Sequence, residues 1–237
     1  LKALVIIPTY NEAESIGRQL EKLLEFENLE ILVVDDNSPD GTAGLVEQIS
    51  RCQNRVHLLP RQQKDGLGRA YLAGFDWGLK ANFDYLIEMD ADGSHRTEDL
   101  PLLLQQAQTH DLVIGSRWIP GGRVQNWSKL RELISRFGNF YARKMLGCEI
   151  RDMTAGFRCF RASFLKQLDL SDVAARGYAF QVEVAWRAAK ESNQIIEVPI
   201  TFVEREVGQS KMTYSIVLEA LLLVTKWGFQ RIFSAAR

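Results

Sequence analysis

Ala3-Leu4-Val5-Ile6-Ile7, running on into Pro8-Thr9-Tyr10-Asn11-Glu12, is the stretch that decides the fold. Five consecutive apolar residues leave no polar face, the pattern of a parallel strand covered on both sides. Pro8 is expected to end that strand. Asn11 then reads as a helix N-cap, with Glu14 three residues on completing a capping box. Ile16, Leu20, Leu23 and Leu24 follow on one helical stripe. The same alternation repeats downstream. Ile31–Val34 reads as a second strand and runs into the turn-rich Asp35-Asp36-Asn37-Ser38-Pro39-Asp40-Gly41. Leu45, Val46 and Ile49 mark a short helix and Val56–Leu59 a third strand. Residues 69–80 read as a helix, Tyr85–Met89 as a fourth strand, 98–108 as a helix and Leu112–Ile114 as a fifth strand. Repeated β-α units imply an α/β chain with a mostly parallel central sheet flanked by helices.

Beyond Pro120-Gly121-Gly122 the pattern is less regular. Leu130, Ile134, Phe137, Tyr141 and Met145 recur at helical spacing, which predicts a long helix over 128–146. Residues 156–161 read as a strand, 180–190 as a helix and Ile195–Phe202 as a further strand. Residues 212–233 form an amphipathic helix: Ser215, Glu219, Lys226 and Gln230 fall on one side, with Leu218, Leu221, Leu222 and Trp227 on a broad apolar face. That face either docks on the protein's own core or attaches to a membrane surface. With no internal repeat or low-complexity linker, residues 1–237 are expected to form one domain.

Composition narrows the function. Apolar residues make up 46% and charged residues 25% of the 237, which excludes a disordered chain and supplies a sizeable core. Cys52, Cys148 and Cys159 form no CxxC pair and read as reduced, fitting a cytosolic protein. His57, His95 and His110 are scattered, without zinc-ligand spacing. No signal peptide precedes a strand that begins at once, although the initial Leu leaves room for a removed upstream segment. The longest apolar run, Ile216 to Val224, is interrupted by Glu219 and is too short to span a bilayer. Charge is unevenly placed. Residues 1–50 carry ten acids and three bases, whereas 115–147 carry seven bases and one acid, Glu132. Such a basic block is either a solvated helix face or the seat of an anionic partner. It contains no nucleic-acid motif, and no nucleic-acid partner is expected.

In open parallel sheets ligands bind beyond the carboxyl ends of the strands. Three such ends here carry polar residues: Pro8–Glu12, Asp35-Asp36, and Asp90-Ala91-Asp92. Two carboxylates two apart just after a strand can hold a hard divalent cation, Mg2+ or Mn2+, which would neutralise charge on a departing nucleotide diphosphate. The same tripeptide also suits a tight Asp-Gly turn. Gly66-Leu67-Gly68 fits neither a Rossmann nor a Walker loop and reads as a close-approach loop near a nucleotide.

These strings, taken together, resemble a known family. Ile7–Glu12 (IPTYNE), Val33–Thr42 (VVDDNSPDGT), Lys64–Phe75 (KDGLGRAYLAGF) and Glu88–His95 (EMDADGSH) look like the dolichol-phosphate mannose synthases and bacterial polyprenol-monophosphomannose synthases. Gly115–Arg117, Arg131–Ser135, Thr154–Arg158, Phe180–Glu183, Glu204–Glu206 and Ser210–Met212 continue the match in order, over nearly the whole chain. The resemblance implies an inverting transferase of the GT-A nucleotide-diphospho-sugar fold. It would move mannose from GDP-mannose to a polyprenyl phosphate and act peripherally on the cytoplasmic face of a membrane. A membrane-anchoring subunit or a fused upstream domain is a possible partner. Pro8, Tyr10, Glu12 and Asp36 would hold the guanosine, Asp90 and Asp92 the metal and diphosphate, and Arg117, Arg131 and Ser135 the acceptor phosphate. Arg205 and Lys211 would close over the donor phosphates from a mobile loop. Asp92, Arg117 and Arg131 would carry the catalysis. Two departures stand out: Arg96-Thr97 where relatives place a proline, and Ser94 where some have Gln, so the metal's third protein ligand is left open. Asp152 either caps a turn or approaches the sugar. Trp118 and Trp127 either rest at a membrane interface or pack. Gln181 and Glu183, two apart, would not share a helix face unless the helix begins there. A UDP-glucose-dependent transferase and a non-catalytic nucleotide-sugar-binding subunit are the competing readings.

Overall fold

The structure, a computed structural model, describes residues 2–173, 178–204 and 214–235. The first half alternates as the pattern predicts: β1 (Ala3–Thr9), α1 (Ala13–Leu24), β2 (Leu29–Asp35), α2 (Thr42–Cys52), β3 (Val56–Pro60), α3 (Leu67–Lys80) and β4 (Tyr85–Glu88). A 3-10 turn (Thr97–Asp99) leads into α4 (Leu100–Ala107) and β5 (Leu112–Ser116). There follow β6 (Arg123–Gln125), α5 (Lys129–Leu146), β7 (Arg158–Arg161), α6 (Ala162–Leu165), α7 (Tyr178–Glu191), β8 (Ile195–Pro199), β9 (Thr201–Val203) and α8 (Tyr214–Ala235).

Among the described residues the main sheet has seven strands in the order β3-β2-β1-β4-β7-β5-β8. All run parallel except β7, which is antiparallel to both β4 and β5. Leu4 to Ile7 have no exposed surface. The pleat sends Leu4 and Ile6 into one core layer and Val5 and Ile7 into the other. Burying each such side chain stabilises the fold by about 1.5–3 kcal/mol relative to exposure, which is why the run specifies a central strand.

Several local expectations are corrected. Pro8 does not end β1; the strand continues to Thr9. Pairing with β4 stops at Ile6–Glu88, so the missing N–H of Pro8 lies past the reach of that neighbour and costs no ladder bond. Asn11 is no helix cap: it sits in the left-handed region at φ 57°, and Glu12 is the N-cap, without a side-chain cap bond. The β2–α2 loop caps this helix instead. Ser38 Oγ, Thr42 Oγ1 and Asp40 Oδ2 accept from the backbone N–H groups of Asn11, Glu12 and Ala13. The expected strand over Ile195–Phe202 is two strands, and the second pairs with β6, which the sequence did not announce, in a separate two-stranded sheet. The last helix is described from Tyr214; positions 212 and 213 of the expected span lie outside the described residues. It packs on α5: Val224 is buried, Tyr141 and Thr225 hydroxyls lie 2.6 Å apart, and a Cβ on Gly228 would come within 2.7 Å of Met145 Cε.

Candidate active site

Because β1, β2, β4 and β5 point the same way, their carboxyl ends share one edge of the sheet. Tyr10, Asp36, the Asp90–Asp92 loop and Arg117 all lie on it.

On the β1–β3 side the loops are interlocked. Asp35 is buried and accepts from Thr9 Oγ1 at 2.8 Å and from Ser38 N and Oγ at 2.9 and 2.6 Å, so its work is structural. Asp36 is 5% exposed and accepts from Arg61 Nη1 at 2.7 Å and Asp65 N at 3.3 Å. Burial raises its carboxyl above the ordinary value, with Arg61 pulling the other way. Lys64 Nζ stands 3.9 Å above the Tyr10 ring, and Glu12 Oε2 accepts from Ser15 Oγ. Pro8, Tyr10 and Glu12 are half-buried. The guanosine residues expected from sequence therefore cluster, on a rigid floor.

The loop after β4 turns back through Gly93, at φ +77°, which favours glycine because it has no Cβ. Asp92 Oδ1 accepts from Ser94 N at 3.0 Å. His95, 2% exposed, accepts from Asp90 N at Nδ1, 3.1 Å. Burial lowers its pKa, against the pull of Asp90 and Asp92. Because Nδ1 accepts, a ring proton sits on Nε2, facing Asp90 Oδ2 at 3.8 Å, and His95 ties down the loop that carries Asp90 and Asp92. It lies between Phe157 and Phe202, ring centroids 5.1 and 5.4 Å away. Among the described residues no group of three ligating side chains converges. Two carboxylates alone fit a hard cation that takes its remaining oxygens from a diphosphate and water. Beneath the loop Glu88 and Arg158 are fully buried, with Nε and Oε2 3.9 Å apart. Burial pushes the Glu88 carboxyl up to about 7 while Arg158 pulls it down.

Arg117, at the end of β5, is 5% exposed. Asp152, fully buried, accepts from its backbone N, Nε and Nη2 at 2.9, 2.7 and 2.6 Å. Trp118, Trp127 and Phe202 surround the guanidinium with ring centroids 5.4 to 5.6 Å away. Arg131, on α5, stacks over Trp127 at 4.0 Å and hydrogen-bonds Glu204. Arg117, Arg131 and Ser135 line one end of a groove whose remaining wall is largely apolar, including Ile134, Tyr141, Ala142, Leu221 and Val224 from α5 and α8.

The sequence model of the family described as "Glycosyl transferase family 2" matches residues 4–169. The chain belongs to this family. Two relatives bear out the finer resemblance read from the motifs. An undecaprenyl-phosphate mannosyltransferase of Micrococcus luteus is 51% identical over 96% of this chain and 94% of its own length. A polyprenol monophosphomannose synthase of Mycolicibacterium smegmatis is 47% identical over 100% of this chain and 90% of its own. A mannosyltransferase of Pyrobaculum calidifontis, solved in complex with GDP-Man and Mn2+, superposes with a TM-score of 0.58 at 17% identity, covering 99% of this chain and 75% of that one. The protein is a family 2 glycosyltransferase of GT-A fold.

In this glycosyltransferase the expected residues fall into two groups on one edge: Pro8, Tyr10, Glu12, Asp36, Asp90 and Asp92 on the acidic side, Arg117, Arg131 and Ser135 at the groove. Arg205 and Lys211 lie outside the described residues. Trp118 and Trp127 pack, with centroids 6.2 Å apart. Asp152 is the counter-ion of Arg117. The helix carrying Gln181 and Glu183 is described from Tyr178, and Glu183 pairs with Arg187 at 2.5 Å, a contact within the fold. Sequence reasoning passed over His95 and the Glu204–Arg131 pair. His95 stands five residues after Asp90 inside a matched motif, a signal that could have flagged it; the Glu204–Arg131 pair spans 73 positions and had none.

Proposed function

We propose that this chain transfers mannose from GDP-mannose to a polyprenyl phosphate with inversion, giving polyprenyl β-D-mannosyl phosphate and GDP. The groove between α5 and α8 supports this reading: an apolar channel suits an isoprenoid, and Arg117, Arg131 and Ser135, which line it, would hold its phosphate. The names of the two close relatives support the same acceptor and sugar.

A phosphate monoester has a second pKa near 6, so it is largely dianionic at neutral pH and needs no general base. One of its oxygens attacks the anomeric carbon from the face opposite GDP. The new C–O bond forms as the bond to the diphosphate breaks, and the electron pair leaves with GDP, turning α into β. The protein's part is aiming and electrostatics. Asp90 and Asp92 would hold Mg2+ or Mn2+, which supplies Lewis-acid neutralisation of the leaving diphosphate; the Mn2+ beside GDP-Man in the Pyrobaculum protein supports such a cation. The test is transfer of radiolabel from GDP-mannose to a short polyprenyl phosphate, with UDP-glucose in parallel. Label should enter the lipid only from GDP-mannose and only without EDTA. Transfer from UDP-glucose would overturn the donor, and EDTA-resistant transfer the metal.

The same two helices suggest where the enzyme works. No described helix is long and apolar enough to cross a membrane. Yet the exposed large apolar side chains all lie on α5 (Leu130, Leu133, Ile134, Phe137, Phe140) or α8 (Leu218, Leu222, Phe229, Phe233) among the described residues. Lys129, Arg136 and Lys144 stand beside them, exposed. This surface fits peripheral attachment to an anionic bilayer, on the cytoplasmic face where a nucleotide sugar is available. Phe137→Asp with Phe140→Asp should abolish co-sedimentation with anionic liposomes while sparing turnover on a short, water-soluble acceptor. Undiminished sedimentation would remove α5 from the contact.

A further inference from the structure

The partner of Arg131 is a carboxylate with a fixed address. Glu204 N donates to Gln125 O at 3.0 Å, and the preceding Val203 N donates to Ser94 O at 3.1 Å. Its backbone is therefore tied both to β6 and to the loop that carries Asp92. The side chain reaches Arg131 Nη1. Glu204 also borders a second pocket, lined by Asp92 and His95, whereas Arg131 lines the groove. The pair forms the wall between the two. Both side chains are largely shielded, 18% and 25% exposed, so their attraction is weakly screened.

We infer that Glu204 sets the affinity of this site: it is a built-in anion that occupies Arg131 and has to be displaced by the acceptor's head group. The inference rests on the proposed acceptor. An arginine at the mouth of an apolar groove facing a bilayer would otherwise take up any lipid phosphate. Bilayer lipids are mostly phosphodiesters, with one negative charge. Exchanging Glu204 for a diester replaces one monoanion with another and gains little. A monoester brings nearly two charges and three acceptor oxygens, enough to engage Arg131 together with Arg117 and Ser135. Glu204 subtracts a similar amount from both ligands and leaves their ratio as it is; what it changes is occupancy, because a diester that gains little from the exchange is left unbound at concentrations where the monoester still binds.

The experiment compares the parent with Glu204→Gln and Glu204→Ala, each first checked for an unchanged melt. Affinity for farnesyl phosphate is read from tryptophan fluorescence, to which Trp127 beneath Arg131 contributes, and KM values from turnover. Phosphatidylglycerol vesicles are the competitor and phosphatidylcholine vesicles the control. Both variants should bind farnesyl phosphate about fivefold more tightly, the size expected for removing a half-shielded ion-pair partner, with the KM for GDP-mannose unmoved. The inhibition constant of phosphatidylglycerol, taken with each protein's own KM for the acceptor, should fall about fivefold in the variants. Weaker farnesyl phosphate binding by Glu204→Ala, rescued in Glu204→Gln, would make Glu204 a mere positioner of Arg131 and overturn the inference, as would one inhibition constant shared by all three proteins. Because the binding ratio does not require turnover, a parent that binds but fails to transfer would overturn the proposed reaction and leave the ratio to decide Glu204.

Discussion

Asp152→Ala should lower stability by about 3–5 kcal/mol, the range for breaking a buried ion pair by removing one partner, and abolish turnover. Asp152 is fully buried and answers three N–H groups of Arg117. Its removal strands a guanidinium, 5% exposed, among Trp118, Trp127 and Phe202. In a chain of this size each kcal/mol moves Tm by about 2–4 °C, so thermal melting should fall by roughly 10 °C. Arg117→Met combined with Asp152→Leu removes both charges and should recover most of the stability, since apolar replacement of a whole buried pair is often neutral. Turnover should not recover if the groove that Arg117 lines holds the acceptor as proposed. A single-variant loss under about 1 kcal/mol by urea denaturation would mean that water reaches Arg117 and that the pair is not the keystone described.

Asp92→Asn should do the opposite, leaving the fold and removing the reaction. The side chain is half-buried on a loop, and its bond from Ser94 N is local, so the melt should stay within about 1 kcal/mol of the parent, as for most surface changes. If Asp92 helps hold the cation, turnover loses several kcal/mol of charge stabilisation at the leaving diphosphate. At 1.36 kcal/mol per tenfold that is on the order of a thousandfold in kcat. Near-normal turnover in the presence of Mn2+ would remove Asp92 from the metal site.

The sequence determined an interior strand of the sheet, because five consecutive apolar side chains without a polar face have to be covered on both sides. It determined as well that polar residues would gather beyond the strands' carboxyl ends: the parallel direction of β-α-β units sends Tyr10, Asp36 and Asp90 to one edge whatever the loops do. The positive charge of 115–147 left a solvated helix face and an anionic partner both open; the family resemblance, not the charge, assigned Arg117, Arg131 and Ser135 to a phosphate. What failed was partner choice. Asn11 has the right side chain for a cap, but Ser38, Asp40 and Thr42 arrive from another loop and satisfy those N–H groups first. The helical stripe of α5 predicted a helix, and on it Leu130 and Phe137 are 65% and 61% exposed; periodicity reports that a helix has an apolar side, not what covers it. The pairing of Arg117 with Asp152, of Arg131 with Glu204, and the seating of His95 between two phenylalanines depend on β7 inserting antiparallel between β4 and β5 and on β9 leaving the main sheet for β6. Periodicity and spacing are local quantities, fixed by the geometry of a few residues. The order in which distant strands pair is a global one, and only the folded chain decides which side chains it brings within reach.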